Sequence, residues 1–195
     1  MKARVYRGFT KAAQSALRRG GVSVIPTDTI YGIVGSAFSK KAVHRIYAAR
    51  TRDPKKPMIV LIGSMDDVRK FGVRLEPRTV NILRRVWPGK VSVILPISHK
   101  SFVISQKYLH RGTKTLAFRL PAKRSLRKLL AKTGSLVAPS ANPEGKPPAK
   151  TIREAKSYFG DAVDFYVDGG RRAGTPSKII RIQNGRVSVV RPSFD

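Results

Sequence analysis

Apolar residues recur along this chain in two rhythms: stripes spaced three to four residues apart, and short unbroken runs. Their alternation is the pattern of helices and buried strands in an α/β domain. Thr10 precedes a stripe of Ala12, Ala13, Ala16 and Leu17, and Gly20-Gly21 follows it, so an N-capped helix is expected between them. The run VSVIP, ending at Pro26, then reads as a buried strand. Ser39 can cap a second helix whose inner face is Ala42, Val43, Ile46 and Tyr47, and the strand MIVLI follows it.

A helix is expected over Met65 to Phe71, with Asp66 and Asp67 in its first turn, where negative charge suits the dipole, and Gly72 just past its end. Another follows Pro77 and stops near Trp87. Strands VSVILP and TLAFRLP, a basic helix around Leu126 to Leu130 and the segment LVAPSAN come next, and then a Pro-rich surface loop, PEGKPPAK. Thr151 and Glu154 make a capping box for a helix carrying Ile152, Ala155, Tyr158 and Phe159. KIIRI and VSVVR flank Asn184-Gly185, a strong two-residue hairpin signal. No repeat and no shift of composition divides the chain, so residues 1–195 are expected to form a single domain with a mixed sheet and its site at strand ends.

Charge changes the picture. Forty Lys and Arg against 11 Asp and Glu give a net charge of +29, spread from end to end, and such a field attracts polyanions. Nucleic acid is the natural partner, so tRNA or another RNA is expected as a possible ligand. The sparse acids suggest no paired general acid and base and disfavour a two-metal nuclease. His44, His99 and His110 lack ligand spacing, and the chain has no cysteine, so no protein-held metal is expected. No apolar run is long enough for a membrane span, which makes a cytoplasmic protein with no membrane partner the expectation.

Four segments depart from plain scaffold. Pro26-Thr27-Asp28-Thr29-Ile30-Tyr31-Gly32 is a hydroxyl-rich turn at a strand end. It suits a small polar ligand, or simply a turn whose Thr hydroxyls cap the backbone. In Ala49 to Pro57, an extended backbone would aim Arg50 and Arg52 to one side, with Lys56 nearby. That is either a polyphosphate clamp or a solvated basic turn. Ser140 and Asn142 lie two apart after an apolar strand and fit hydrogen bonding to a ligand better than nucleophilic catalysis. The fourth segment is Pro176-Ser177-Lys178 entering the terminal hairpin, with Arg191 at its far end. No Walker loop and no dinucleotide fingerprint is present.

Taken in order, PTDTIYGIV, Arg50-Thr51-Arg52, Trp87-Pro88-Gly89, Arg119-Leu120-Pro121, Ser140-Ala141-Asn142, Pro176-Ser177-Lys178 and Arg191 resemble the YrdC family, the catalytic domain of threonylcarbamoyl-AMP synthases, over nearly the whole chain. The chain departs from the family pattern at five positions. Arg50 stands where lysine is usual, Val34 for a glycine, Asp53 for a proline, Leu61 for a frequent histidine and Lys178 for threonine.

The resemblance implies a curved mixed α/β sheet with flanking helices around a large basic cavity. It implies an L-threonylcarbamoyladenylate synthase, a nucleotidyltransferase that joins L-threonine, bicarbonate and ATP, with Mg travelling on the nucleotide and a downstream tRNA threonylcarbamoyltransferase taking the product. It assigns Arg50, Arg52, Lys56, Thr115, Ser140, Asn142 and Arg191 to ATP, with Arg50, Arg52 and Ser140 closest to the chemistry. Thr29, Arg119 and Ser177 go to threonine or its carbamate, and Tyr31 to the pocket wall. The alternative is a non-catalytic RNA-binding protein of the same fold, acting in rRNA or tRNA maturation.

Overall fold

The computed structural model describes residues 3–192. In chain order the elements are β1 (Arg4–Arg7), α1 (Lys11–Arg18), β2 (Ser23–Pro26), β3 (Tyr31–Ser36), α2 (Lys40–Ala49), β4 (Ile59–Leu61), a 3-10 helix (Met65–Phe71) and α3 (Pro77–Val86). Then come β5 (Val91–Pro96), α4 (Lys100–Ser105), α5 (Lys107–His110), β6 (Thr115–Arg119), α6 (Arg124–Thr133), β7 (Leu136–Val137), α7 (Ile152–Phe159), a 3-10 turn (Gly160–Ala162), β8 (Phe165–Asp168), β9 (Lys178–Gln183) and β10 (Arg186–Arg191). The strands form one mixed sheet of ten in the order β1-β8-β2-β3-β7-β4-β6-β5-β9-β10.

Side chains in register across the sheet share a face, and the two faces have different fates. Val60, Phe118, Val93 and Ile180 align across β4, β6, β5 and β9. They lie in a core closed by Ile46 of α2, Leu83 of α3, Leu109 of α5 and Phe159 of α7. On the opposite face α1 and α6 lay Leu17, Leu126, Leu129 and Leu130 over Ile25, Val34, Leu61, Leu136 and Phe165. Each such leucine contributes roughly 1.5–3 kcal/mol by leaving water. These two helices stop at β4: Leu61 lies beneath them, whereas Ile59, two residues earlier and on the same face, is open. Beyond it Ala117, Ile94 and Arg181 continue the row of Ile59 uncovered. The half of the sheet face that no helix covers is the floor of a cavity of about 600 Å³.

Local chemistry accounts for the element ends. Thr10 and Ser39 accept the backbone N–H of Ala13 and Ala42 at 3.2 Å, as N-caps do. All four inner-face residues of α2 are buried, but in α1 only Ala13 and Leu17 are, and Ala12, turned away from Ala13 by the helix's rotation per residue, is exposed. The Met65–Phe71 segment is 3-10 rather than α, closed by Gly72 at φ +73°. At α7, Thr151 accepts from the Glu154 N–H, but the Glu154 carboxylate takes the N–H of Lys150 rather than of Thr151. Asn184 and Gly185 both have positive φ, the type I′ geometry that lets Gln183 pair with Arg186. No helix of the described residues is long and apolar enough to cross a membrane.

Candidate active site

The hydroxyl-rich segment after β2 is the loop of a hairpin: Pro26 pairs with Tyr31, and Thr27 to Ile30 connect them. Thr27 Oγ1 accepts the Thr29 N–H at 3.1 Å and donates to the Ile30 carbonyl at 2.6 Å, which fixes the turn and brings its oxygen 3.0 Å from Thr29 Oγ1. Arg119 reaches this turn from the end of β6. Its Nη1 donates to Thr29 Oγ1 at 3.2 Å, and its Nη2 lies 3.1 Å from Asp28 Oδ1, with both side chains 5% exposed. Burial and the nearby Arg191 pull the Arg119 pKa down, while Asp28 opposes them; a guanidinium stays charged all the same. Its Nε has no protein partner. Tyr31 walls the cavity, its hydroxyl donating to the Gly170 carbonyl at 2.7 Å and accepting from the Gly169 N–H at 2.9 Å.

Arg50 and Arg52 both line the cavity, but from the turn that follows α2 rather than from extended chain. Arg50 keeps αR geometry and Thr51 has φ +47°, because the helix end must reverse before β4. Arg50 is 3% exposed. Its Nε donates to the Asn142 carbonyl at 2.8 Å, and its Nη2 faces Ser140 Oγ at 3.3 Å and Asn142 Oδ1 at 3.4 Å. Its Nη1 is buried without a protein partner. Burial first, and Arg52 second, lower its pKa to about 10. Arg52 donates to the carbonyls of Lys56 and Pro57.

Two expected ligand groups lie elsewhere. Lys56 is outside the cavity lining, its ammonium 2.6 Å from the Glu144 carboxylate on a half-exposed surface. Asn142 sits behind Arg50 and is not in the lining; its side-chain N–H groups tie down the carbonyls of Pro143 and Lys146. Ser140 does face the cavity and bridges to Gly32 of β3.

The remaining wall comes from β6, β9 and β10. Thr115 and Ser177 line it, and Ser177 Oγ lies 2.9 Å from Ser92 Oγ. Arg191 donates Nε and Nη2 to the Ser177 carbonyl, which holds the terminal hairpin against the site. Arg181 and Gln183 also line the cavity and were missed in reading the sequence. The signal was available: in KIIRI the alternation that buries Ile180 and Ile182 turns Arg181 and Gln183 to the opposite face.

Five arginines, 50, 52, 119, 181 and 191, line this cavity together with Thr29, Thr115, Ser140 and Ser177, and no carboxylate of the described residues joins them. Nor do three His, Asp or Glu of the described residues gather as a metal would require. Such a lining offers a polyanion charge and hydrogen-bond donors.

A family model for the Sua5/YciO/YrdC group, described as telomere recombination, matches residues 15–193. The threonylcarbamoyl-AMP synthase of Thiobacillus denitrificans is 34% identical over 184 residues, covering 92% of this chain and 94% of that protein. The threonylcarbamoyl-AMP synthase of Pyrococcus abyssi is 29% identical over 98% of this chain, which spans only about half of that relative, 56% of its length. The crystal structure of P. abyssi Sua5 complexed with L-threonine superimposes with a TM-score of 0.86 at 26% identity, covering 98% of this chain and 57% of that one. By the match of nearly the whole chain to the family model, and by its likeness to these relatives in sequence and fold, this protein belongs to the Sua5/YciO/YrdC family.

Proposed function

We propose that this protein is a nucleotidyltransferase that makes threonylcarbamoyl-AMP and pyrophosphate from L-threonine, bicarbonate and ATP, to supply tRNA threonylcarbamoyladenosine modification. The observation that carries this reading is the cavity lining, five arginines and seven hydroxyl side chains, Tyr31 among them, without a carboxylate. A triphosphate and an amino-acid carboxylate are both anionic, and a ring of cations accommodates both. The names of the relatives and the threonine-bound neighbour support the same choice of substrate.

In this reaction the threonine amine and bicarbonate form the carbamate and release water. A carbamate oxygen then attacks the α-phosphorus; the bond to the bridging oxygen of the β-phosphate breaks, and pyrophosphate leaves. No protein nucleophile is needed, since positioning and charge stabilisation carry most of the catalysis of such transfers. Thr29, Arg119 and Ser177 would receive threonine or its carbamate, with Tyr31 as wall. Arg50, Arg52, Ser140, Thr115 and Arg191 would face ATP, the Arg50 guanidinium supplying positive charge beside its phosphates. Asn142 acts here through Arg50, and Lys56 through Glu144. Magnesium enters as part of the nucleotide substrate, because the lining supplies no anionic ligand for it.

The test is pyrophosphate release from ATP with threonine and bicarbonate omitted in turn, alongside mass spectrometry of the adenylate. Release should require both. Equal release without threonine overturns the assignment, and no turnover at all turns the choice toward the non-catalytic RNA-binding alternative.

A further inference from the structure

The register of the sheet lays the cavity floor out as a grid, and the chemistry of that grid changes along the strands. The middle row is Ile59, Ala117, Ile94 and Arg181, across β4, β6, β5 and β9. Two residues away on the side of the Thr29 turn stand Arg119 on β6 and Ile179 on β9, and Arg191 pairs with Ile179. Two residues away on the other side stand Thr115, Pro96 and Gln183, all in the lining. Charge therefore rises from Gln183 through Arg181 to Arg191 and Arg119, and the row that holds Thr115, Pro96 and Gln183 is neutral. Arg186, which pairs with Gln183 across the hairpin, is outside the lining. Arg52 and Arg50 enter beside Pro57 and β4, three strand spacings or about 14 Å from β9. Among the described residues that line the cavity, Gln183 is the one carboxamide, and it is exposed to it.

We infer that Gln183 recognises the base of the nucleotide. The inference rests on the reading of ATP as substrate and adds a specificity-determining residue to it. Charge draws the triphosphate to the arginines, which leaves the neutral row to the uncharged end of the same molecule. A base laid on Ala117, Ile94 and Pro96 removes its flat face from water and turns its polar edges to the sides. One side is Thr115; the other, two strand spacings or about 10 Å away, is Gln183. A hydroxyl rotates to donate or accept, so Thr115 suits any edge. A carboxamide holds an acceptor and a donor side by side in one plane. Adenine presents the complementary pair, the N6 amino donor next to the N7 acceptor, whereas guanine presents two acceptors there, O6 and N7. Gln183 Oε1 would accept from N6 while Nε2 donates to N7. Against guanine the same carbonyl would face O6, acceptor against acceptor.

The test is isothermal titration calorimetry without threonine, so that binding is read apart from turnover. The ligands are ATP, GTP, purine riboside triphosphate, which lacks the N6 amino group, and inorganic triphosphate, which lacks the nucleoside. The proteins are the wild type, Gln183→Ala and Gln183→Leu, the last keeping the bulk of the side chain in case its loss shifts the hairpin. The wild type should bind ATP about tenfold more tightly than GTP or purine riboside triphosphate. Both variants should lose about that tenfold for ATP and bind the nucleotides alike, while inorganic triphosphate binds as in the wild type because the arginines are untouched. A preference for ATP that survives in both variants overturns the inference, and so does a wild type that has none. Weaker binding of inorganic triphosphate in both variants assigns the effect to a displaced hairpin and also overturns it. Pyrophosphate release on adding threonine and bicarbonate is scored separately. Selectivity that depends on Gln183 without turnover contradicts the synthase reading and leaves Gln183 as the base reader. Turnover with selectivity unchanged in the variants does the reverse.

Discussion

Arg50 occupies a position where an ammonium is usual for the family, and the structure shows what a guanidinium does with its extra donors. Nε and Nη2 are spent on Asn142 and Ser140, and Nη1 is buried without a protein partner. Arg50→Ala should lower kcat/KM for ATP about tenfold or more, while Arg50→Lys keeps the charge and should stay active. Asn142→Ala should also impair ATP use, through Arg50. Steady-state kinetics on Arg50→Ala, Asn142→Ala and the double variant should therefore show effects that do not add; additive losses would mean that Asn142 meets the ligand independently. Glu144, held by Lys56 and the Asp53 N–H, has its pKa lowered to about 2. A carboxylate depressed in the folded state contributes stability that is complete above its unfolded pKa and is lost as pH falls toward 2. Glu144→Gln should thus be less stable than wild type to urea at pH 7, by an amount that solvent screening keeps small, and the difference should close as pH falls below about 2. Residue types and spacing made Arg50, Ser140, Thr29 and Ser177 legible as candidates, and the family resemblance added Arg119. They did not reveal that Asn142 stands behind Arg50 or that Lys56 faces an acid 88 residues away, since those contacts depend on a loop folding back.

Elements with strong caps and two-sided patterns were legible in the sequence: α2 with its four buried positions, the fully buried β2 and the type I′ hairpin. Those missed have weak local signals. β1 buries no residue completely, α4 has none buried, and α5 is a single turn. β3 was hidden because its first residue belongs to the hydroxyl-rich segment, where turn chemistry masks the strand that follows. The loop from Gly169 to Pro176 leans on that segment, and a Cβ on Gly174 would come within 2.4 Å of the Thr29 carbonyl. Gly174→Ala must push the loop and the Thr29 turn apart. KM for threonine should rise in this variant, with a smaller change for ATP; unchanged threonine kinetics would remove that turn from the substrate site.

At the scale of the whole molecule, composition announced the field of charge but not that five of its arginines line one cavity, because that depends on which strands and turns share a face. The proposed reaction uses only small molecules, so RNA should be dispensable for pyrophosphate release, and rising salt should abolish RNA binding before activity. Both can be measured in one salt series, and an RNA requirement for turnover would contradict the separation. The asymmetry of the sheet has a further consequence. The uncovered half of its face ends in β9 and β10, and β10 is an edge strand with one neighbour and with Val187, Val189 and Val190 exposed. A strand held by so little opens by local unfolding long before the molecule does, so its amide hydrogens should exchange with deuterium earlier than those of β2 or β4. Arg191 lies on that strand and Arg181 on its neighbour. A ligand held between them and Arg50 would tether the edge to the interior. Slowed deuterium uptake in β10 would then report occupancy of the cavity directly, even in a variant that performs no chemistry.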